Sequence, residues 1–160
     1  MRKIVRNIYY YEIELKVFKD GDMKISDDFE NDCKKMFLSF NDLVFDKNDF
    51  TKSKYLKKQN GTYDFIHIDS MDDECITGKL INCDDSGLTY YEKDGEIQFI
   101  REVLQEKMVA EVSHFIIFFK ERILAFEYNA KSSHAPSLAN YIITKNEFYN
   151  IKFMNLLNKN

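Results

Sequence analysis

Two dense apolar segments late in the chain constrain its fold more than any other feature. The segments HFIIFFK (114–120) and ILAFEYN (123–129) are separated only by Glu121 and Arg122. The first segment is apolar on both of its faces, which is typical of a central strand that is covered on both sides. We therefore expect an antiparallel hairpin with a two-residue turn. Pro136 follows, and it suits the first turn of a helix because its missing N–H costs nothing there.

Hydrophobic periodicity predicts two further elements near the N-terminus. Residues 4–18 alternate between apolar and polar positions, which predicts one long, half-exposed strand. Asp27, followed three residues later by Glu30, predicts a capping-box-like helix start. The helical repeat that follows forms a single apolar stripe at Phe29, Cys33, Met36, Phe37 and Phe40.

Shorter patterns predict the remaining elements, which are strands at 62–68 and 75–82, a hairpin around Asp94-Gly95, and a helix over 136–149. The segment 101–113 favours a helix, with an early start of the next strand as the alternative. The C-terminal segment from residue 151 fits either one further short element or a tail. Strands in succession with the helices apart from them are typical of α+β proteins. We expect one domain over residues 1–160, with an α+β fold and a mostly antiparallel sheet of about six strands packed by two or three helices.

The composition limits the class of protein. Of 160 residues, 44% are hydrophobic, with 14 Phe and 10 Tyr but only 5 Gly and 1 Pro, so we expect a compact body rather than disorder. The net charge of −4 provides no overall field that would attract nucleic acid. Three cysteines without a C-x-x-C motif argue against a disulfide framework, and no segment fits a signal peptide or a membrane span. We expect a cytoplasmic protein without a metal or a cofactor.

The polar loop 129–134 is the first candidate site. It contains Lys131 and His134 just before a predicted helix N-terminus, where backbone N–H groups could bind a phosphate or carboxylate. On a predicted strand, Asp69 could orient His67. A metal-independent ribonuclease could use His67 and His134 as base and acid, with Lys131 on the phosphate. The alternative is that the loop is only a helix entry and that His67 is structural. Whether the protein is an enzyme stays open, and no catalytic motif favours it.

A second candidate is the one local concentration of positive charge, TKSKYLKK (51–58). Four lysines beside an aromatic ring could follow a phosphate backbone. The alternative is a solvated loop or helix face. The residues of this candidate nucleic-acid surface are Lys52, Lys54, Tyr55, Lys57 and Lys58.

The polar face of the first predicted strand is a third candidate. It presents Tyr10 beside Glu12 and Glu14, and tyrosine on a charged face is common at protein interfaces. If this strand lies at an edge of the sheet, it could pair with a strand of a partner protein or of a second copy.

The segment VAEVSHFIIFFKERILAFEYNAKSSHAPSLANYI (109–142), together with VRNIYYYEIELK (5–16), resembles uncharacterised bacterial proteins encoded near phage-defence and toxin–antitoxin genes. The resemblance rests mainly on the pattern of core residues. It implies a setting of conflict between bacteria and phages, and it assigns no catalytic residue.

From these observations we expect a small cytoplasmic protein-binding module of a bacterial phage-defence or phage counter-defence system. It would act through contacts with a protein partner or as a homodimer, without membrane contact. A phage-encoded inhibitor of a nuclease, such as an anti-CRISPR protein, would share this binding mechanism. The alternative is an RNA-binding or RNA-cleaving toxin that uses His67, Lys131 and His134.

Overall fold

The computed structural model describes residues 5–84, 90–99 and 109–156. A short 3₁₀ turn, Phe40–Asp42, follows the first helix. The described strands and helices are β1 (Ile8–Lys19), β2 (Asp22–Ile25), α1 (Phe29–Ser39), β3 (Leu56–Lys57), β4 (Tyr63–Met71), β5 (Cys75–Asp84), β6 (Tyr90–Lys93), β7 (Glu96–Phe99), β8 (Val109–Phe118), β9 (Ile123–Glu127), α2 (Ala135–Lys145) and β10 (Tyr149–Asn155).

Eight of these strands form one antiparallel sheet in the order β10-β1-β9-β8-β5-β4-β3, with β2 paired to β1. The strands β6 and β7 form a separate hairpin, whose turn places Asp94 and Gly95 at positive φ as predicted. The expected α+β class and antiparallel sheet are confirmed, and the hairpin β8–β9 is confirmed as well. The sheet contains more strands than the six expected, because β2, β3 and β10 are short or weakly patterned in the sequence.

The strand β1 lies inside the sheet. Its residues Tyr11–Val17 pair with β10 on one side, while Ile8–Glu12 pair with β9 and Lys16–Lys19 pair with β2 on the other. The hypothesis that this strand forms an edge is therefore wrong for most of its length. The reason is that the C-terminal segment forms β10, which takes the edge position.

The core lies between one face of the sheet and the two helices. Phe37 of α1 stacks on Phe115 of β8 with ring centroids 6.1 Å apart, and Phe40 meets Tyr141 of α2 edge-on at 5.7 Å. Gly78 in β5 makes room for Phe115, because a Cβ there would lie 2.7 Å from the ring. Alternate residues of each strand point the other way, to the face without described helices, which we call the outer face.

Three predicted details differ from the structure, and the first is that α2 ends at Lys145 rather than at residue 149. Asp28, not Asp27, caps α1 by accepting a hydrogen bond from the N–H of Asn31. The predicted helix over 101–113 is wrong for residues 109–113, which begin β8, and residues 101–108 lie outside the described part. Neither described helix is long and apolar enough to cross a membrane.

Candidate functional site

The loop before α2 is held by a buried polar group, which we call the Asp64 cluster (Lys58, Asp64, Asn82 and Ser133). The hydroxyl of Ser133 donates to Asp64 Oδ1 at 2.5 Å and accepts from Lys58 Nζ at 2.9 Å. Asp64 is only 1% exposed, and it also accepts from Asn82 Nδ2 at 2.9 Å. The ammonium of Lys58 lies 3.5 Å from Asp64 Oδ2. The cluster pairs the buried carboxylate of Asp64 with the partly exposed ammonium of Lys58, and it ties β4 and β5 to the entry of α2.

The rest of the loop is fastened to β8. The side chain of Asn129 is buried, donates to the carbonyl of Val112 at 3.1 Å, and accepts from the N–H of Lys131 at 3.1 Å. The hydroxyl of Ser132 donates to the carbonyl of Glu111 at 3.1 Å. The side chain of Lys131 is exposed. These contacts explain the polar residues of the loop as anchors for its backbone.

His67 lies on the outer face of β4, as its alternation with Asp69 predicts. Its Nδ1 is 3.0 Å from Asp69 Oδ1, and the ammonium of Lys79 is 2.9 Å from the same oxygen. The hydrogen bond from Lys79, and next the one from His67, hold the pKa of Asp69 below its usual range. The predicted pairing of His67 with Asp69 is thus present, on an exposed surface.

The described contacts join the two histidines of the proposed ribonuclease site to different groups. His134 is exposed, and its ring lies 4.8 Å from the ring of Tyr128. The neighbouring Ser133 bonds Asp64, which precedes His67 by three positions in the same strand and so points to the opposite face of the sheet. Among the described contacts, none brings His67, Lys131 and His134 to a common partner.

The third histidine, His114, was not recognised in the sequence as a candidate. Its Nδ1 is 3.1 Å from Glu127 Oε1, which also accepts from Arg6 at 3.0 Å. Burial raises the pKa of Glu127, but the hydrogen bonds from His114 and Arg6 outweigh it, so the pKa lies below its usual range. In the sheet register His114 stands beside Lys79, which stands beside His67. The result is a polar row across the outer face, whose members only the strand register brings together.

The lysines of segment 51–58 differ in their exposure and in their contacts. The ammonium of Lys58 contacts Asp64 in the Asp64 cluster, whereas Lys52 and Lys57 are exposed. The ammonium of Lys54 lies 5.0 Å from the ring centre of Phe45, which is 56% exposed. One lysine of the segment, Lys54, therefore lies beside an accessible aromatic ring.

Tyr55 is not a free stacking platform, because its ring packs against other aromatic rings. The centroids of Tyr63 and Phe65 lie 5.7 and 5.8 Å away, both in edge-on contact. The backbone here is held by α2, since Tyr141 donates to the carbonyl of Lys54 at 2.5 Å and Lys145 to that of Tyr55 at 2.7 Å. Burial raises the pKa of Tyr55 and lowers that of Lys145.

The candidate partner-binding residues lie on the outer face next to β10. Tyr10 is 51% exposed, while Glu12 and Glu14 are half-buried. Glu12 stands opposite Met154 and Glu14 opposite Lys152. These side chains therefore form one surface with β10, and that strand occupies the edge.

The hydrogen-bond direction of β10 follows from its neighbour β1. The N–H of Ile13 donates to the carbonyl of Arg122 at 2.9 Å, on the side away from β10. The carbonyl of Leu15 accepts from the N–H of Ser26 at 2.9 Å on that same side. The backbone groups of Ile13 and Leu15 are thus engaged away from β10.

The β10 residues opposite Ile13 and Leu15 must therefore point their backbone groups away from β1. Leu15 pairs with Ile151 and Ile13 pairs with Phe153. In an antiparallel ladder, two opposed residues either both point their backbone groups at each other or both point them away. The N–H and C=O groups of Ile151 and Phe153 therefore face the edge of the sheet, beyond which no described strand lies.

The other end of the sheet is built differently. There β3 covers only Tyr63 and Asp64, and the register of β4 shifts between Ile68 and Ser70. His67 and Asp69 add polar side chains to this edge. A bulge and charged side chains are features that prevent a further strand from pairing.

Comparison with family models, with curated proteins and with solved structures finds no match to this chain. Among the described residues, no group of three or more His, Cys, Asp or Glu side chains is positioned to hold a metal ion.

Proposed function

We propose that the protein is a protein-binding module that accepts an extended segment along β10. The observation that carries the proposal is the regular edge of this strand. All seven residues of β10 pair with β1 without a bulge, and the backbone groups of Phe153, which is half-buried, point outward. An added strand would extend the sheet by β-augmentation.

Side chains around this edge support the same proposal. Phe148, which precedes β10, is 54% exposed and packs against Phe18 of β1, which is 46% exposed, with centroids 6.0 Å apart. An incoming strand would cover part of this ring pair, and each new backbone hydrogen bond would contribute about 0.5–1.5 kcal/mol. The exposed Tyr10 lies on the same face and would contact the body of the partner.

The resemblance of residues 109–142 is the reason to propose a setting in bacterial phage defence or counter-defence. The partner would be a protein component of such a system, bound in the cytoplasm. The residues proposed to contact it are Tyr10, Glu12 and Glu14 together with β10.

The test compares two substitutions at one residue. Phe153→Pro removes the outward N–H, whereas Phe153→Ala removes the same ring and keeps that N–H. Proline is tolerated at the open side of an edge strand, so both variants should fold, with similar thermal melting and circular dichroism. Affinity capture from cells that encode the protein should retain a partner with Phe153→Ala and lose it with Phe153→Pro. Equal capture by both variants would contradict the proposal.

A second candidate function, RNA binding, is favoured by the ammonium of Lys54 beside the exposed ring of Phe45. Lys52 and Lys57 are exposed in the same segment. Single-stranded nucleic acids bind surfaces that combine lysines with accessible rings, and such binding weakens steeply as salt rises. A labelled single-stranded RNA should therefore bind in 50 mM salt and be released in 200 mM salt, with weaker binding by Lys52→Ala and Lys57→Ala.

RNA cleavage by His67, Lys131 and His134 is tested separately. In that case induced expression would halt growth and degrade RNA, and His134→Ala would restore both. Normal growth with intact RNA would exclude the toxin hypothesis.

A further inference from the structure

We infer that the outer face of the sheet cleaves single-stranded RNA at a site formed by His67, Lys79 and His114, which we call the histidine row. The two imidazoles would act as general base and general acid, with the ammonium of Lys79 between them on the phosphate. This activity goes beyond the proposed protein binding and is independent of β10. Its basis is the strand register, which pairs Lys79 with His67 on one side and with His114 on the other.

The register also sets the distance between the two histidines. Residues that stand opposite each other in a ladder share one face of the sheet, so all three side chains lie on the outer face. Opposed Cα atoms are alternately about 4.5 and 5.5 Å apart, which places those of His67 and His114 about 10 Å apart. Side chains that stand perpendicular to the sheet keep roughly this spacing. A ribose hydroxyl about 3 Å from phosphorus, with a hydrogen bond of about 2.8 Å at each end, requires two nitrogens about 7–10 Å apart.

Each imidazole is held through its Nδ1 atom. His67 Nδ1 lies 3.0 Å from Asp69 Oδ1, and His114 Nδ1 lies 3.1 Å from Glu127 Oε1. A carboxylate in this position favours the tautomer with the proton on Nδ1, so Nε2 is the nitrogen that can accept a proton from a substrate or donate one to it. The side chains of His67 and His114 are 61% and 55% exposed, so an RNA strand can reach both.

The reaction that this arrangement supports is a transesterification within the RNA strand. One imidazole takes the proton of a ribose 2′-hydroxyl, whose oxygen forms a bond to phosphorus. The bond from phosphorus to the 5′ oxygen breaks, and the other ring, as imidazolium, gives its proton to that oxygen. The products are a 2′,3′-cyclic phosphate and a 5′-hydroxyl, and the two rings end with their protonation states exchanged.

Lys79 would stabilise the negative charge that grows on the phosphate oxygens during this step. Its ammonium has three N–H donors, one of which bonds Asp69 Oδ1 at 2.9 Å. The side chain is 34% exposed, so a phosphate between the two histidines can accept from another of these donors.

An aromatic surface beside His67 would hold the neighbouring base. Phe65 lies two residues before His67 on the same face of β4, about 6.5 Å along the strand. The ring of Phe45 lies 5.2 Å from that of Phe65, is 56% exposed, and is 5.0 Å from the ammonium of Lys54. A base stacked on Phe45 would therefore lead the strand across the histidine row.

The experiment uses four DNA oligonucleotides that each contain one ribonucleotide, one for each base, with all-DNA versions as controls. The purified protein should cleave only the substrates with a 2′-hydroxyl, and mass spectrometry should show the cyclic phosphate and the 5′-hydroxyl. His67→Ala and His114→Ala should each slow cleavage about 10²–10⁴-fold, and the double variant should be little slower than either, because the two rings act as a unit. Phe45→Ala should instead raise KM about 5- to 100-fold with kcat unchanged.

Loss of cleavage with both single histidine variants, together with the cyclic product, supports the inference. It is overturned if the native protein leaves all four substrates intact, if either single variant cleaves at the native rate, or if cleavage depends on His134 and not on His114. RNA that is bound but not cleaved overturns the cleavage and leaves RNA binding at Phe45 standing. The proposed protein binding fails separately, only if Phe153→Pro and Phe153→Ala capture the same partner equally well.

Discussion

Replacing Lys58 with methionine removes the cation that faces the buried carboxylate of Asp64. The two side chains are 3.5 Å apart, and Asp64 is 1% exposed. Methionine keeps most of the aliphatic length of lysine, so the substitution changes charge more than packing. The hydrogen bonds from Ser133 and Asn82 stay available to the carboxylate.

The expected loss follows from the burial of the pair. Removing one partner of a fully buried ion pair costs about 3–5 kcal/mol. The side chain of Lys58 is 28% exposed, so water can partly replace the ammonium, and we expect Lys58→Met to lower the free energy of unfolding by about 2–3 kcal/mol. For a domain of this size, that loss lowers the melting temperature by about 4–12 °C.

The assay is chemical denaturation of a double-mutant cycle. Asp64→Asn removes the charge while keeping an oxygen that can accept from Ser133. Lys58→Met should then cost at least about 1 kcal/mol less in the Asp64→Asn background than in the native protein. Lys57→Met, at the exposed neighbour, is the matched control and should change stability by less than about 0.5 kcal/mol.

The reasoning is refuted if the two substitutions are additive, or if Lys58→Met is as mild as Lys57→Met. Either result would mean that the ammonium does not compensate the buried carboxylate. The same outcome would reopen the loop before α2 as a site, because Ser133 would then not be held in a structural ion-pair cluster.

Three further predictions concern single residues. Asp28→Ala should lower the free energy of unfolding by about 1 kcal/mol through loss of the helix cap, whereas Asp27→Ala should change it by at most a few tenths, as measured by urea denaturation. Burial raises the pKa of the Cys33 thiol to about 12, so a thiol reagent at pH 8 should modify it only after unfolding, as followed by mass spectrometry. Because the pKa of Asp69 is lowered in the folded state, its contribution to stability is present above the ordinary aspartate range and is lost as pH falls through the folded value. Lys79→Ala should return that pKa towards the ordinary range in an NMR titration of the carboxyl carbon.

Periodicity predicted those elements whose burial is decided locally. The alternation of β1 places Ile13 and Leu15 in the core, and the apolar stripe of α1 buries Phe37 as expected. The turn at Asp94-Gly95 was predictable because its positive φ values require particular residues. In each case, the residues that determine the local structure are close together in the sequence.

Prediction failed where distant parts of the chain decide the structure. Leu104, Met108 and Val112 recur every four residues in the sequence, which favours a helix. Residues 109–113 nevertheless pair with β5, and this pairing outweighs a weak helical preference. The Asp64 cluster joins Ser133 to a carboxylate 69 positions away, so neither residue could be recognised as a partner of the other. A signal for the cluster was nevertheless present, since Asp64 interrupts an apolar strand and had to be paired if buried.

The edge of the sheet is another feature that distant parts of the chain determine. Alternation in the sequence decides which side chains of β1 face outward, and Tyr10 is exposed as expected. Alternation cannot show which strand lies at the edge of the sheet. The edge strand depends on a segment more than 130 positions away in the chain, as the pairing of Tyr11 with Asn155 shows. Because β10 takes the edge, β1 does not offer its backbone groups to a further strand over Tyr11–Val17. Under the proposed function, Tyr10, Glu12 and Glu14 would contact the body of the partner, on the outer face beside the strand that β10 would bind.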